Sequence, residues 1–130
     1  MIGSFVVNPD SKLYLQTKPG QTSGFRCLNE QLFNDSIEDT IKISVKEKTG
    51  LNVKNYKLIN VTEGFDVPKD GEKHHMVFVD YVVYVDTMEG LKTDTTRISE
   101  WLTCDEWLKK DESDFAPYIK NVVKDLSKSI

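Results

Sequence analysis

Apolar residues open the chain in two short runs, GSFVV and KLYLQT, separated by the turn formers Asn8, Pro9 and Asp10. That pattern predicts two strands around a turn. TKPGQTSG, with Pro-Gly at 19 and 20 and Gly24 behind it, reads as a loop. In FRCLNEQLFN the apolar positions Phe25, Cys27, Leu28, Leu32 and Phe33 keep no helical period, which predicts short irregular strands. From Ser36 the period changes. Ile37, Ile41 and Val45 recur every four residues and predict a helix with that stripe on the core. Asp35 or Ser36 can cap its start, and Ser36 with Asp39 has capping-box spacing. Gly50 is placed to end it in the left-handed conformation. Thr40, Ser44, Glu47 and Lys48 fall along another side of this helix.

The second half alternates again. Tyr56–Phe65 predicts a strand, and VPKDGEK a turn. His74–Asp86 is the strongest strand pattern in the chain, rich in β-branched and aromatic residues. Neither alternate set is polar, so the strand is expected to be covered on both faces. Asp80 stands out there as a carboxylate in an apolar run. MEGLKTD predicts a turn, RISEWL a short strand and CDEWLKK one or two helical turns. Asp114 can cap a last helix that tolerates Pro117 in its first turn. Ile119, Val122, Val123 and Leu126 form its apolar stripe. The order of elements predicts a single α/β domain over residues 1–130, a mixed sheet with helices on both faces.

A length of 130 residues suits one core. The formal net charge of -4 argues against a nucleic-acid backbone as partner, because that needs a basic surface; a local basic pocket stays compatible with it. Cys27 and Cys104 are far apart and form no disulfide framework, zinc knuckle or redox pair, so reduced intracellular thiols are expected. No apolar run approaches about 18 residues, which predicts no membrane span. The start of the chain shows no basic segment followed by a long apolar one. The expected location is therefore the cytoplasm.

The order of elements and several local signatures resemble the Nudix hydrolase family. Its box reads Gly, five residues, Glu, seven residues, Arg-Glu, an aliphatic residue, any residue, Glu-Glu, any residue, Gly, an aliphatic residue. Gly50 and Leu51 match its terminal pair, Thr49 is a common occupant of the preceding position, and Val45 matches the aliphatic position. Glu47 falls on the first residue of the Glu-Glu pair. Asp35 takes the place of the isolated Glu, and Ser36 often follows that Glu in the family. Four positions depart: Ile43 replaces the Arg, Ser44 the Glu beside it, Lys48 the second Glu of the pair, and Asn29 the opening Gly. GSFVVNPDSKLYLQTK, HHMVFVDYVVYV and ISEWLTCDEWL resemble the family's opening hairpin, the strand after its box and its late Trp-containing segment.

The resemblance implies a Nudix-like α/β/α sandwich. Family enzymes cleave nucleoside diphosphates linked to another moiety, using divalent metals, usually Mg2+, held by helix carboxylates. Magnesium requires oxygen ligands in a tight octahedron, and it orients the diphosphate and activates water. Carboxylates at i, i+3 and i+4 place those donors on one side of a helix. Here the three positions are Ser44, Glu47 and Lys48, so only Glu47 can ligate metal. Glu47 and Asp80 are the expected catalytic carboxylates. Asp39, Glu63, Asp66 and Glu100 are further candidates to complete a site. Lys48 can bind a phosphate directly as a point charge. Arg26 and Lys18 fall near the implied substrate side and can do the same. Trp101 can stack on a base, or serve the core, as can Trp107. His74 and His75 are adjacent on a strand, so they point to opposite faces and make a poor two-ligand metal site.

Two functional readings follow. In the first, the metal box is degraded and the chain binds a nucleotide-like or phosphorylated ligand, or a protein partner, without efficient hydrolysis. In the second, it is a nucleoside-diphosphate-X pyrophosphohydrolase that uses Mg2+ or Mn2+ at a rearranged carboxylate site. The family's frequent dimers make a homodimer a further expectation.

Overall fold

The first strand, β1 (Ile2–Val7), is buried along its whole length, and its side chains alternate between two cores. A computed structural model describes residues 1–32 and 34–129. The other elements are β2 (Lys12–Gln16), β3 (Leu28–Glu30), α1 (Ile37–Thr49), β4 (Asn55–Lys69), β5 (Glu72–Tyr84), β6 (Ser99–Thr103), α2 (Cys104–Leu108), a 3-10 turn (Glu112–Asp114) and α3 (Ile119–Ser127). The main path of the sheet runs β4-β5-β1-β2-β6. β1 and β5 are parallel, and the remaining pairs are antiparallel, so the sheet is mixed.

Alternation along β1 and β5 separates the layers. Ile2, Val6, Tyr81 and Val83 pack with Ile41 and Val45 of α1 on one face. Phe5, Val7 and Val82 pack with Trp107 of α2 and Val122, Val123 and Leu126 of α3 on the other. Trp107 is fully buried, and its indole Nε1 donates to Leu13 O at 2.9 Å, so its polar atom is satisfied inside the core. The result is the expected α/β/α sandwich.

One edge of β1 serves two strands. Ile2–Ser4 pair with β3, and Val6 and Val7 pair with β2. The chain entering β3 meets the end of β2 through paired main-chain bonds between Gln16 and Arg26, at 3.0 and 2.9 Å. The C-terminal turn of α1 lies over this junction.

Helix α1 has the expected ends. Ser36 Oγ accepts from Asp39 N at 3.1 Å, and Gly50 closes the helix at φ 80°. Its buried face differs from the expected stripe. Ile41 and Val45 are fully buried, but Ile37 is exposed in the first turn, and Thr40 and Ser44 take core positions.

Three further expectations are corrected. β5 is covered on both faces only near its end: β1 pairs with Val79–Tyr84 alone, and the rest runs on with β4 as a long projecting hairpin. Val61, Phe65 and Val77 on that hairpin are exposed, because two strands of this length outreach the layer that would bury them. The turn between them shrinks to Asp70 and Gly71, with β4 extended to Lys69. Asp114 does not cap the last helix. Its carboxylate accepts from Asp111 N across the 3-10 turn, and Tyr118, at φ 70°, precedes α3. Of the irregular strands expected before α1, β3 forms; Phe33 lies outside the described residues. Both cysteines are free and buried. Among the described residues no helix is long and apolar enough to cross a membrane.

Candidate functional site

The junction of β2, β3 and α1 opens into a cleft of about 700 Å³. Gln16 ends β2 at its floor, and Lys18 follows in the next loop. Arg26 and Asn29 line it from the segment entering and forming β3. Glu47 and Lys48 reach it from the last turn of α1. The loop before β6 closes the far side with Lys92, Asp94 and Arg97.

That loop is anchored at several points. Thr17 N donates to Ile98 O at 2.9 Å, and Ile98 N donates back to Thr17 Oγ1 at 3.1 Å. Gly20 N donates to Thr96 O at 2.7 Å, and Lys92 N to Thr49 O at 2.8 Å. Gly50 and Gly90 meet backbone to backbone; a Cβ on Gly50 would sit 2.0 Å from Gly90 O. Asp94 organises the loop internally. It accepts from Thr96 Oγ1 at 2.6 Å and from Arg97 Nε at 2.8 Å. The Thr96 bonds first, then Arg97, hold its carboxyl below the ordinary Asp value.

The charge in the cleft opposes that of the whole chain. Lys18, Arg26, Lys48, Lys92 and Arg97 line it against the carboxylates Glu47 and Asp94. Asp94 is committed to Arg97, and Lys48 meets Glu30 Oε2 at 3.4 Å. Among the described residues, no carboxylate lies within ion-pair distance of Lys18, Arg26 or Lys92. Such a concentration of one sign in a concave site draws anions even to a net acidic protein. Arg26 is half-buried and held by a 3.1 Å bond from Nε to Gly24 O; burial lowers its pKa from the ordinary arginine value. The Lys48 ammonium donates to the main-chain carbonyl of Asn29.

Four expected site residues, Lys18, Arg26, Glu47 and Lys48, thus come together. Asp80 and Trp101 do not join them as lining residues. Asp80 shares the side of Val82, the face opposite α1. There it lies beside Gly3, where a Cβ would come 2.2 Å from Asp80 Oδ1 and 3.3 Å from Cys27 Sγ. Burial raises the Asp80 carboxyl to about 6, partly offset by the N-terminal ammonium. The same burial, with Asp80 adding to it, pushes the Cys27 thiol far up, so Cys27 is no nucleophile at neutral pH. Trp101 packs on Tyr14, ring centres 4.9 Å apart, and Tyr14 donates from its hydroxyl to Gln16 Oε1 at 3.0 Å. Trp101 therefore connects to the cleft through Tyr14 and the lining residue Gln16.

The other candidates are placed elsewhere. Glu100 lies 3.6 Å from Lys110 Nζ, and Glu63 lies 3.5 Å from His75 Nε2 on the projecting hairpin. His75 stacks on Phe65, while His74 lies near Glu72. Asp66 sits at a bulge of β4 with φ 54°, and Asp39 serves the first turn of α1. Trp107 belongs to the core.

The donor set does not fit Mg2+ or Mn2+. Ser44 is 2% exposed and turned into the core, Lys48 is a cation, and Glu47 is left as the one carboxylate of the expected three. Among the described residues no group of three His, Cys, Asp or Glu side chains is close enough to hold a metal ion. Lys92, Asp94 and Arg97 are cleft residues that sequence reasoning missed, having assigned their segment to a turn and strand entry. Glu30, the partner of Lys48, was missed as well. The local sign available was the KTDTTR run, whose Asp94-to-Thr96 spacing favours a side-chain-closed turn.

Comparison with solved structures supports the architecture. The chain is similar to the mutator protein MutT from Bacillus halodurans, with 23% identity over 98% of this chain and 81% of that one, TM-score 0.71. It is similar to the Nudix domain of NrtR from Shewanella oneidensis, solved as a complex with ADP-ribose, with 11% identity over 98% and 84%, TM-score 0.69. A Nudix hydrolase from Nitrosomonas europaea matches with 16% identity over 98% and 86%, TM-score 0.68. No protein-family model matches the sequence, and a search of curated proteins gave no match. The chain shares the α/β/α fold of these Nudix structures.

Proposed function

We propose that this Nudix-fold chain binds a phosphorylated, nucleotide-like ligand in the cleft between β3, α1 and the loop before β6, without efficient hydrolysis. The observation that carries the reading is the pairing of charge excess with a missing donor set. Among the described residues five cationic side chains line the cleft against two carboxylates, Glu47 and Asp94. Cations as point charges and guanidinium forks are the groups that grip phosphate oxygens. The same field disfavours a divalent metal, on which hydrolysis in the resembling family depends.

The pyrophosphohydrolase reading would need Glu47 and Asp80 to act together. Asp80 lies beside Gly3, near the cleft-lining Cys27, and is not itself a lining residue, while the other lining carboxylate, Asp94, is already bound to Thr96 and Arg97. A panel of ADP-ribose, nucleotide sugars and dinucleoside polyphosphates, assayed with Mg2+ and Mn2+, separates the readings. The expected outcome is calorimetric binding of at least one member with no turnover above background. Metal-dependent turnover that vanishes in Glu47→Gln would establish the hydrolase instead. Absence of binding across the panel would point to a protein partner.

A further inference from the structure

We infer that the cleft takes its anion free of divalent metal, with the Lys48 ammonium serving as a tethered cation in the metal's stead. This rests on the ligand-binding reading above and narrows it to a chemical class: di- or triphosphate groups not complexed with Mg2+.

Lys48 is anchored through oxygen atoms alone. Its ammonium donates to the carbonyl oxygen of Asn29 and stands 3.4 Å from Glu30 Oε2. A main-chain carbonyl and a carboxylate are hard oxygen donors of the kind a divalent cation takes. In this fold they are occupied by a side chain of the same chain. The Lys48 side chain is partly buried between α1 and β3, and the Asn29 and Glu30 oxygens hold its ammonium.

The surroundings then decide which ionic form of a ligand fits. Lys18, Arg26 and Lys92 line the same cleft without carboxylate partners among the described residues. A free polyphosphate brings its full negative charge to these groups. A bound Mg2+ cancels two of those charges and adds a dication that Lys48 and Arg26 repel. Magnesium also keeps much of its water, and among the described residues the cleft offers two carboxylates to replace it, Glu47 and an Asp94 already bound to Thr96 and Arg97. Metal therefore weakens the complex here.

Calorimetry with pyrophosphate and with ADP, each in EDTA and in saturating Mg2+, tests this. Binding in EDTA that falls several-fold or more with Mg2+ is the expected result. Lys48→Gln should weaken the EDTA-state affinity about tenfold, the loss of one charge-assisted contact. Lys124→Gln, on α3, should leave it unchanged. Thermal melts of both variants check that the fold is intact. Binding that requires Mg2+, is strengthened by it, or is indifferent to it would overturn the inference while leaving the ligand-binding reading in place. Failure of pyrophosphate, ADP and the wider nucleotide panel in both conditions would remove both.

Discussion

The Lys48 ammonium donates to the Asn29 carbonyl and so ties the last turn of α1 to β3. One side chain both ties the wall of the cleft and adds to its positive charge. Where the resembling family's box has a second glutamate, this chain has a cation with its own oxygen donors. Under the proposed reading that difference turns a metal site into an anion site, and its reversal is a direct test.

Lys48→Glu removes the cation and places a carboxylate beside Glu47, near Glu30 and the Asn29 carbonyl. The variant should gain weak Mn2+ affinity, with a dissociation constant on the order of 10⁻⁴–10⁻³ M, as for loosely built oxygen sites. Its pyrophosphate affinity in EDTA should fall about a hundredfold, because one attraction is lost and one repulsion gained. Mn2+ electron spin resonance and calorimetry read the two effects. Equal Mn2+ binding by both proteins would show that Lys48 does not exclude metal.

Asp80→Asn should stabilise the fold at alkaline pH. Burial raises Asp80 to about 6 from an ordinary 3.8, so the folded state holds this proton more tightly than the unfolded chain. The charged neighbour is the N-terminal ammonium, whose effect opposes burial, and the Cys27 thiol stays neutral. The stabilising contribution is complete below about pH 4 and is lost as pH rises through 6. A neutral carboxyl also offers a donor beside Asn60, its register partner, whose buried Oδ1 has no hydrogen-bond partner among the described residues. After discounting for solvent screening at this half-buried group, the gain at pH 8 is on the order of 1 kcal/mol. That corresponds to roughly 3–6 °C in Tm. The gain should shrink toward pH 4, and a gain independent of pH would assign the effect to packing.

The parts of the molecule legible in the sequence are those set by local chemistry. Ser36 and Gly50 mark the ends of α1 because a cap hydroxyl and a left-handed glycine act within a turn of where they sit. The family resemblance implies the substrate side for Lys18 and Arg26 and the box helix for Glu47 and Lys48, and the fold joins the two. It implies nothing for Lys92 and Arg97, since their loop reaches the cleft through the Gly50–Gly90 approach and the Thr17 bonds, contacts made across distant segments. Covered strands and projecting hairpins share the same β-branched composition, so the exposure of Val61 and Val77 follows only from strand pairing. Composition marks Asp80 as unusual, but its place beside Gly3, near Cys27 and outside the cleft lining, follows from strand register alone.

Ser44→Ala should stabilise the protein. Ser44 Oγ is buried without a hydrogen-bond partner among the described residues, and serine is a poorer helix former than alanine. Removing the hydroxyl should gain about 1 kcal/mol, read as a higher urea midpoint at unchanged slope. Ser44→Glu, which restores the box residue, should instead lose several kcal/mol, because it introduces a buried charge. A stability loss above about 1 kcal/mol in Ser44→Ala would reveal a water-mediated role for the hydroxyl.

Gly50→Ala should damage both stability and ligand binding, and Gly20→Ala separates the causes. Both glycines are left-handed, at φ 80° and 77°, so either alanine costs about 1–2 kcal/mol of backbone strain. A Cβ at Gly20 meets nothing within 4 Å, whereas one at Gly50 lies 2.0 Å from Gly90 O. The second clash is with backbone and cannot be relieved by a rotamer change. It should push the loop off α1, break the 2.8 Å bond from Lys92 N to Thr49 O, and move Lys92 and Arg97 away from the cleft. Denaturant melts should show a loss at Gly50 larger than at Gly20 by about 1 kcal/mol or more, the size expected of a steric misfit in packed structure. Pyrophosphate affinity should fall in Gly50→Ala and hold within twofold in Gly20→Ala. Equal affinities in the two variants would mean that Lys92 and Arg97 contribute nothing to anion binding, and would confine the grip to Lys18, Arg26 and Lys48.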